Sequence, residues 1–380
     1  MDAPAIIVPQ ANPGAGYRAL QAEIDAAVAS ALGSHWYILG AEGRAFEAEF
    51  SAWLGTAHAV GCASGTDALA LALRALGVGA GCTVVTVSHT AVATVAAIEM
   101  VGATPLLIDI DPAHYTMDPA ELAAVLAHPP PGLPPIRAAI PVHLYGQAAD
   151  LRPIISCCAR HGVAIVEDAS QAHGATLNGK KLGTFTEVAA FSLYPTKNLA
   201  ALGDAGVLAT NDAALATRLA ALRQYGWYTH YVSDEVGVNS RLDELQAAIL
   251  RVKLCYLDAQ NLRRQSIAAA YDAALAGGAI APPARRPGAS HVFHQYVLRV
   301  SDRAALQQCL RNAGIGSGVH YPVPVHLQPA YRGRIALGPS GCTASARASA
   351  EVLSLPMFPE LTDDQVGHVC AVLRRDLQTT

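Results

Sequence analysis

Lysine is rare in this chain, which has only Lys180, Lys181, Lys197 and Lys253 among its 380 residues. Charged residues amount to 15%, and the formal net charge of −4 gives no bulk attraction to nucleic acid or to acidic membranes. Hydrophobic residues amount to 52%, a share that excludes a disordered chain. We therefore expect a globular protein without a nucleic-acid partner, in which the surroundings of each lysine are informative.

The sequence also lacks the signals of a membrane anchor and of a metal centre. No apolar run is long enough to cross a membrane, and residues 1–9 lack the charged and apolar regions of a secretory leader. The eight cysteines form no C-x-x-C pair, so buried free thiols are expected in place of a zinc site. These features predict a cytoplasmic protein with no membrane association and no metal.

The order of the apolar runs predicts an α/β fold. At 380 residues the chain is long enough for two domains. From about residue 56 to residue 210, short apolar runs alternate with amphipathic stretches, as in a mainly parallel sheet covered by helices on both faces. A helical pattern runs over 241–275, and the domain boundary is expected inside or just after it. Asn178-Gly179 predicts a hairpin turn. The predicted strands of the sheet are 58–60, 84–87, 105–109, 138–143, 163–168, 188–193 and 207–210.

Lys197 has the most informative surroundings of the four lysines. It lies 29 residues (197 − 168) after Asp168, which ends the apolar run Val163–Asp168, and its neighbours are apolar or neutral. Burial lowers the pKa of a lysine and makes it a better amine nucleophile. The pair fits pyridoxal phosphate chemistry, in which a lysine holds the cofactor as a Schiff base and a carboxylate keeps the pyridine nitrogen protonated. Asp168 alone is equally explained as the cap of the following turn.

A second candidate is the segment Ser64-Gly-Thr-Asp-Ala-Leu, which follows a predicted strand and opens a helix. Its glycine lets the backbone approach a ligand, and a helix N-terminus offers free N–H groups and partial positive charge to a phosphate. An ordinary capped helix start explains the same residues. Ser192 is a further phosphate donor through its hydroxyl, while Gln171 and His173 either bind a cofactor or order their loop.

Taken in order, these segments resemble the DegT/StrS family of nucleotide-sugar aminotransferases. The resemblance extends over nearly the whole chain and is more specific than any single motif. It is carried by Ser64-Gly-Thr-Asp-Ala-Leu, Glu167-Asp-Ala-Ser-Gln-Ala-His-Gly-Ala, Ser192-Leu-Tyr-Pro-Thr-Lys-Asn-Leu, Gly203-Asp-Ala-Gly and Asn239-Ser-Arg-Leu-Asp-Glu-Leu-Gln-Ala-Ala-Ile-Leu.

The resemblance implies the aspartate-aminotransferase-type fold, the type I fold of pyridoxal phosphate enzymes. The implied arrangement is an extended arm over residues 1–14, a large cofactor-binding domain over 15–255 with a mainly parallel seven-stranded sheet, and a smaller α+β domain over 256–380. An obligate homodimer with shared active sites is also implied.

By position, the resemblance makes Lys197 the Schiff-base lysine and Asp168 the partner of the pyridine nitrogen, and it places Gln171 against the ring near its phenolic oxygen. The implied phosphate ligands are Gly65, Thr66, Ser192 and, from the partner subunit, Asn239. The residues implied to contact the sugar nucleotide are Tyr225, Arg241, His320 and His326. For the two histidines, ordering of a proline-rich loop is an equal alternative.

The chain departs from the family at the position that faces the cofactor ring. Many members carry an aromatic residue there, in a Thr-aromatic-x-Ala-Thr segment, whereas this chain has Thr90-Ala-Val-Ala-Thr, with Ala91 at the aromatic position. His89, just upstream, is the candidate for the missing stacking face. Without a stacked ring, we expect cofactor binding to be weaker by about 1 kcal/mol, the scale of an aromatic pair.

The implied activity is that of a pyridoxal phosphate-dependent aminotransferase. It would transfer an amino group from L-glutamate to a nucleotide-linked keto-deoxysugar, by a ping-pong scheme through the pyridoxamine form. Residues 238–245 and 320–331 resemble members that aminate 3-keto-6-deoxy sugars, so a thymidine diphosphate 3-keto-6-deoxyhexose is the expected acceptor. The sequence identifies no residue for the donor's carboxylate.

Three alternatives stay open at this point. Amination at C4 is the first. The second is a sugar dehydratase, although relatives of that kind replace the lysine with histidine and carry cysteines for an iron–sulfur cluster. The third is a regulatory protein that binds pyridoxal phosphate or a sugar without turnover.

Overall fold

The computed structural model describes residues 8–377, and helices and strands alternate over the first two thirds of the chain. The α-helices are α1 Pro13–Ala19, α2 Gln21–Gly33, α3 Ala41–Leu54, α4 Gly65–Ala75, α5 Val92–Met100, α6 Pro119–Ala127, α7 Leu151–His161, α8 Ala213–Leu222, α9 Glu244–Leu254, α10 Leu257–Leu275, α11 Arg303–Asn312, α12 Thr343–Glu351 and α13 Asp363–Leu377. The strands are β1 His58–Cys62, β2 Thr83–Val87, β3 Thr104–Ile108, β4 Ile136–Ala139, β5 Ala164–Asp168, β6 Thr176–Leu177, β7 Lys180–Lys181, β8 Val188–Ser192, β9 Gly206–Thr210, β10 Trp227–Thr229, β11 Val232–Ser233, β12 Tyr296–Arg299, β13 Ala336–Leu337 and β14 Val352–Leu355.

The central sheet has eight strands in the order β1-β9-β8-β5-β4-β2-β3-β13. Neighbouring strands are parallel except at β9, which is antiparallel to both β1 and β8. Seven of the eight are the strands predicted from the apolar runs, which confirms the mainly parallel α/β sheet. The predicted number of seven is wrong by one. The eighth strand, β13, has only two residues, too few for a recognisable apolar run, and it pairs with β3 from a distant part of the chain.

Burial on both faces explains why the strands are so apolar. Val84 of β2 belongs to an apolar cluster formed with α4, α5 and α8, whereas its neighbour Val85 belongs to a cluster formed with α6 and α7. Successive side chains of a strand point to opposite faces, so each face needs its own apolar residues. The helices therefore cover the sheet on both sides.

The helical pattern predicted over 241–275 is two helices, because α9 ends at Leu254 and α10 begins at Leu257. After this break, α10, α11, β12, β14 and α13 enclose an apolar cluster of their own. The division into 15–255 and 256–380 stays a prediction, although β13 shows that the C-terminal part also supplies a strand to the central sheet. Of the predicted arm, residues 1–7 lie outside the described residues, and α1 already begins at Pro13.

Two smaller predictions can be compared with the structure. Asn178 and Gly179 have φ values of 50° and 79° and join the antiparallel strands β6 and β7, which confirms the hairpin. None of the eight cysteines, which all lie within residues 8–377, forms a disulfide bond, and Cys62, Cys157, Cys158, Cys342 and Cys370 are buried. Over residues 8–377, no helix is both long and apolar enough to cross a membrane.

Candidate active site

A cavity of about 230 Å³ lies where β5 and β8 end and α4 begins. Ligands of open α/β sheets bind outside the carboxyl ends of the strands, so this is the expected position of a functional site. We call it the Lys197 cavity. Six predicted residues line it, namely Gly65, Thr66, Asp168, Gln171, Ser192 and Lys197.

Lys197 lies in the turn that follows β8, where its backbone N–H donates to the Tyr194 carbonyl at 2.8 Å. Burial lowers the pKa of its amine to about 8, and the negative charge of Asp168 opposes part of that shift. At neutral pH such a lysine has a far larger fraction of neutral, nucleophilic amine than an exposed lysine has. The predicted nucleophile is therefore both placed and activated by the fold.

Asp168 is the last residue of β5 and is only 4% exposed. The Thr94 hydroxyl of α5 donates to its Oδ2 at 3.0 Å, and the Ser170 N–H donates to its Oδ1 at 3.2 Å. Two donors from different elements fix the carboxylate on the cavity wall. A carboxylate held in this way stabilises a positive charge on whatever group faces it.

The N-terminus of α4 and the end of β8 form a close cradle. A Cβ atom at Gly65 would lie 2.5 Å from Cβ of Ser192, so a larger residue at position 65 requires Ser192 to move. Ser64 caps the helix, since its Oγ accepts from the Asp67 N–H at 3.1 Å. The first N–H groups of a helix have no intrahelical acceptor, and here the Ser192 hydroxyl lies beside them. This set of donors fits a phosphate group.

Gln171 is held at the cavity wall by hydrogen bonds from both ends of its amide. Its Oε1 accepts from the Tyr145 N–H at 2.7 Å, and its Nε2 donates to the Tyr321 hydroxyl at 3.2 Å. Burial raises the pKa of Tyr321 to about 12, so this hydroxyl stays neutral. The contact of Gln171 with a cofactor ring stays a prediction.

His89 is not brought to the Lys197 cavity. The ring is fully buried, with Nδ1 at 3.1 Å from the Ser349 Oγ and Nε2 at 2.8 Å from the Tyr145 hydroxyl. Because that hydroxyl donates to the His320 carbonyl, Nε2 carries the hydrogen. Burial lowers the pKa of His89 to about 4, so the ring is neutral. Ala91 lines the cavity, but the stacking role predicted for His89 has no support in this geometry.

Asn239 and Arg241 line a separate cavity of about 500 Å³, which we call the Arg241 cavity. Asp204 contributes to the walls of both cavities, so the two are neighbours. Tyr225 lies outside both and packs on Trp227, with ring centroids 5.1 Å apart. Within one chain Asn239 is therefore separate from the phosphate cradle, and its predicted contact with the phosphate of the partner subunit's site stays a prediction.

His320 and His326 also lie outside the Lys197 cavity. Nδ1 of His320 is 2.8 Å from the Ser354 Oγ, and Nδ1 of His326 is 2.6 Å from the Ser88 Oγ. In this chain both rings are thus tied to serine hydroxyls. The alternative that they order a proline-rich loop agrees with these contacts, and a substrate contact stays a prediction.

Several residues of the site were missed in the sequence. Thr94 had a local signal, since it closes the segment Thr90–Thr94 in which only position 91 was considered. Tyr321 had none, because its contact with Gln171 spans 150 residues. Other polar residues that line the cavity, and to which the sequence assigned no role of their own, are Ser64, Thr90, Ser170, Tyr194 and Asp204.

Comparisons with known proteins agree with this geometry. The model of the DegT/DnrJ/EryC1/StrS aminotransferase family matches residues 18–374. The chain is 45% identical over 368 residues to the erythromycin biosynthesis sensory transduction protein EryC1 of Saccharopolyspora erythraea, covering 97% of this chain and 99% of that protein. It is 45% identical over 369 residues to the dTDP-3-amino-3,4,6-trideoxy-alpha-D-glucose transaminase of Streptomyces venezuelae, covering 97% and 95%. The crystal structure of S. venezuelae DesV in complex with a ketimine intermediate matches with a TM-score of 0.91 and 45% identity, covering 97% of each chain.

The residues present fit the cofactor that aminotransferases of this family use, pyridoxal 5′-phosphate. The cradle of Gly65 and Ser192 suits its phosphate, since a Cβ at position 65 would fill that space. Lys197 would supply the amine for its aldehyde carbon, and Asp168 would supply the carboxylate for its ring nitrogen; both roles stay predictions. The family match and the site together show that this chain is a pyridoxal phosphate-dependent member of the DegT/DnrJ/EryC1/StrS aminotransferase family.

Proposed function

We propose that this aminotransferase transfers the amino group of L-glutamate to a nucleotide-linked keto-deoxysugar. The observation that carries the proposal is the meeting of Lys197, Asp168 and the phosphate cradle in one cavity. The 45% identity to a dTDP-amino-sugar transaminase over 97% of this chain supports the substrate class. We propose a thymidine diphosphate 3-keto-6-deoxyhexose as the acceptor.

Lys197 is the residue that moves the proton in this scheme. As a neutral amine it takes a proton from the substrate carbon, and as an ammonium group it returns one. A pKa of about 8 lets both forms exist near neutral pH. The bound cofactor supplies the electron sink that makes the carbon acidic, and the fixed carboxylate of Asp168 keeps the ring nitrogen positively charged.

We place the new amino group at C3 of the sugar. The S. venezuelae relative is named for a 3-amino-3,4,6-trideoxyglucose, and residues 238–245 and 320–331 resemble those of C3-specific members. We also propose that the enzyme acts in the cytoplasm as a homodimer. In that dimer, Asn239 of the partner subunit would reach the phosphate cradle, while Arg241 and Tyr225 would approach the sugar nucleotide.

The dehydratase and regulatory alternatives are less well supported. Lys197 is present where the dehydratases carry histidine, and in the described part of the chain no group of cysteines is arranged to hold a metal cluster. The relative EryC1 carries a sensory name, but a protein that only binds a ligand has no need of the Lys197–Asp168 pair.

The first test is the absorbance spectrum of the purified holoenzyme before and after addition of L-glutamate. A loss of visible absorbance, with 2-oxoglutarate formed in equal amount, is the expected result. Initial rates with glutamate and the keto-sugar should then give parallel double-reciprocal lines. Intersecting lines would contradict the two-step scheme, and product NMR with nitrogen at C4 would contradict the proposed position.

A further inference from the structure

A second, small cavity also has Lys197 in its wall. Its volume is about 60 Å³, and residues of the N-terminal region, of α9 and α10 and of the segment 357–360 form most of the remainder. We call it the Arg264 cavity. Lys197 is the one residue that lines both this cavity and the Lys197 cavity. Whatever occupies the Arg264 cavity therefore lies against residue Lys197.

Two buried cations face the Arg264 cavity, and Glu360 is the one carboxylate in the same wall. Arg264 is 5% exposed and Lys253 is 9% exposed. Arg264 donates through Nη1 to the carbonyls of Phe293 and Met357, and Lys253 donates to the carbonyl of Ala200. Across the described residues, neither cation forms an ion pair with a carboxylate. Glu360 favours the charged form of both side chains, but one carboxylate does not balance two buried positive charges, so a bound anion would offset part of the remaining cost.

Three polar atoms in the same wall also have no hydrogen-bond partner. They are Nε of Arg264, Nδ1 of His294 and Oδ1 of Asn198, and each belongs to a side chain that is at most 7% exposed. Buried polar groups are nearly always paired, so a ligand or ordered water belongs here. The arginine N–H can only donate, which requires an acceptor in the cavity.

The balance of charge decides between water alone and an anion. Two cationic side chains, those of Lys253 and Arg264, line the cavity beside Lys197, whereas Glu360 is its only carboxylate. A single water needs roughly 10–15 Å³ of such space, so the cavity has room for one small ion and a bridging water to Asn198. We infer that the Arg264 cavity binds a small monovalent anion, the size of a halide or of one carboxylate group.

The position of this anion gives it a role in the reaction. A negative charge beside Lys197 stabilises the ammonium form of that side chain. Occupancy of the Arg264 cavity is thereby coupled to the proton that Lys197 takes and returns. The carboxylate in question is either a free one such as formate or that of the donor amino acid.

Bromide binding to the holoenzyme tests the site directly, with the line width of the bromide NMR signal as the readout. We expect specific broadening for the unaltered enzyme and about tenfold weaker binding for Lys253→Gln, which removes one positive charge. Glu360→Gln removes the opposing carboxylate and is expected to tighten binding by about tenfold. Lys180→Gln, on the β6–β7 hairpin, serves as the control and should change nothing.

The opposite signs separate an anion site from a structural effect, because a loosened fold would weaken binding in both variants. Absence of specific broadening, or a change of the same sign in both variants, would overturn the inference. A bromide-dependent rise in the KM for glutamate alone would assign the cavity to the donor's carboxylate. A change in kcat alone would assign it to a free anion. The bromide titration needs no turnover, so its failure is independent of the proposed reaction.

Discussion

The residues around it separate Lys197 from the other three lysines. Lys180 and Lys181 lie on the β6–β7 hairpin, with their amines over the rings of Phe185 and Trp53 at 4.7 and 4.0 Å. Lys253 donates to a backbone carbonyl. Of the four lysines, only Lys197 shares the 230 Å³ cavity with a buried carboxylate. These surroundings lower the pKa of its amine, which makes Lys197 a better nucleophile than an exposed lysine.

Replacing Lys197 with alanine should abolish the activity. We expect kcat to fall by at least about a thousandfold, because both the nucleophile and the proton carrier are lost. The protein should also fail to develop the visible absorbance of the lysine-bound cofactor after incubation with pyridoxal phosphate. Lys180→Ala is the matched control and should keep both properties. A Lys197→Ala variant with substantial transaminase activity would contradict the assignment.

The pKa of Lys197 predicts how cofactor capture by the apoenzyme depends on pH. Only the neutral amine reacts, and burial has lowered its pKa from 10.5 to about 8. The capture rate should therefore rise with pH up to about 8 and then level off, whereas an exposed lysine would continue to gain up to about 10.5. Asp168→Asn should move the plateau to lower pH, since Asp168 favours the charged amine. Stopped-flow absorbance measures the rate, and a rise that continues beyond pH 10 would contradict the assignment.

Gly65→Ala tests the cradle at the start of α4. The added Cβ meets Ser192 at 2.5 Å, and overpacking of this kind costs about 1–3 kcal/mol. We expect a lower free energy of unfolding in urea and weaker cofactor binding, since Ser192 must move. Gly367→Ala is the control. Position 367 lies within α13 with nothing within 4 Å of the added atom, so this change should stabilise the protein by about 0.5–1 kcal/mol.

Helices α3 and α9 are joined by one buried glutamate side chain. The N-terminus of α3 has no side-chain cap of its own. Instead, the carboxylate of Glu244 on α9, which is 2% exposed, accepts from the N–H groups of Gly40, Glu42 and Gly43 at 2.8–2.9 Å. A negative charge at a helix N-terminus also interacts favourably with the helix dipole. One side chain thus caps a helix about 200 residues away.

Glu244→Gln should lower the free energy of unfolding, because it weakens the contact between α3 and α9. The amide removes the charge and turns one acceptor into a donor that faces other donors, so we expect a loss of about 2–3 kcal/mol. Urea unfolding measures this directly. For comparison, Asp302→Ala removes the ordinary cap of α11, which accepts from Ala305 at 2.9 Å, and should cost only about 1 kcal/mol. An equal or smaller loss for Glu244→Gln would contradict the bridging role.

The separation of Asn239 from the Lys197 cavity leads to a prediction for the whole molecule. If two subunits share their sites, a heterodimer of Lys197→Ala and Asn239→Ala has one site in which both residues are intact. When the two inactive variants are mixed in equal amounts, unfolded and refolded together, half of the dimers should be heterodimers. Each heterodimer has one intact site out of two, so about a quarter of the activity of the unaltered dimer should return. Mixing that restores nothing would show that each chain builds its site alone.

The sequence by itself determined the sheet and the chemistry of the site. Seven strands were visible because a strand buried on both faces must be apolar along its length, and Lys197 and Asp168 were visible because charges are rare next to such strands. The family motifs are local as well, so they too can be read along the chain. Each of these signals depends on residues within a few positions of one another.

Only the tertiary structure decided which of these residues meet. His89 and Ala91 are two positions apart, yet Ala91 lines the cavity and the His89 ring is tied to Tyr145 and Ser349 in the interior. The two residues of β13, the support of Gln171 by Tyr321 and the second cavity behind Lys197 also depend on contacts between distant segments. Periodicity encodes which face of an element is buried but not which element covers it, so contacts of this kind leave no local pattern.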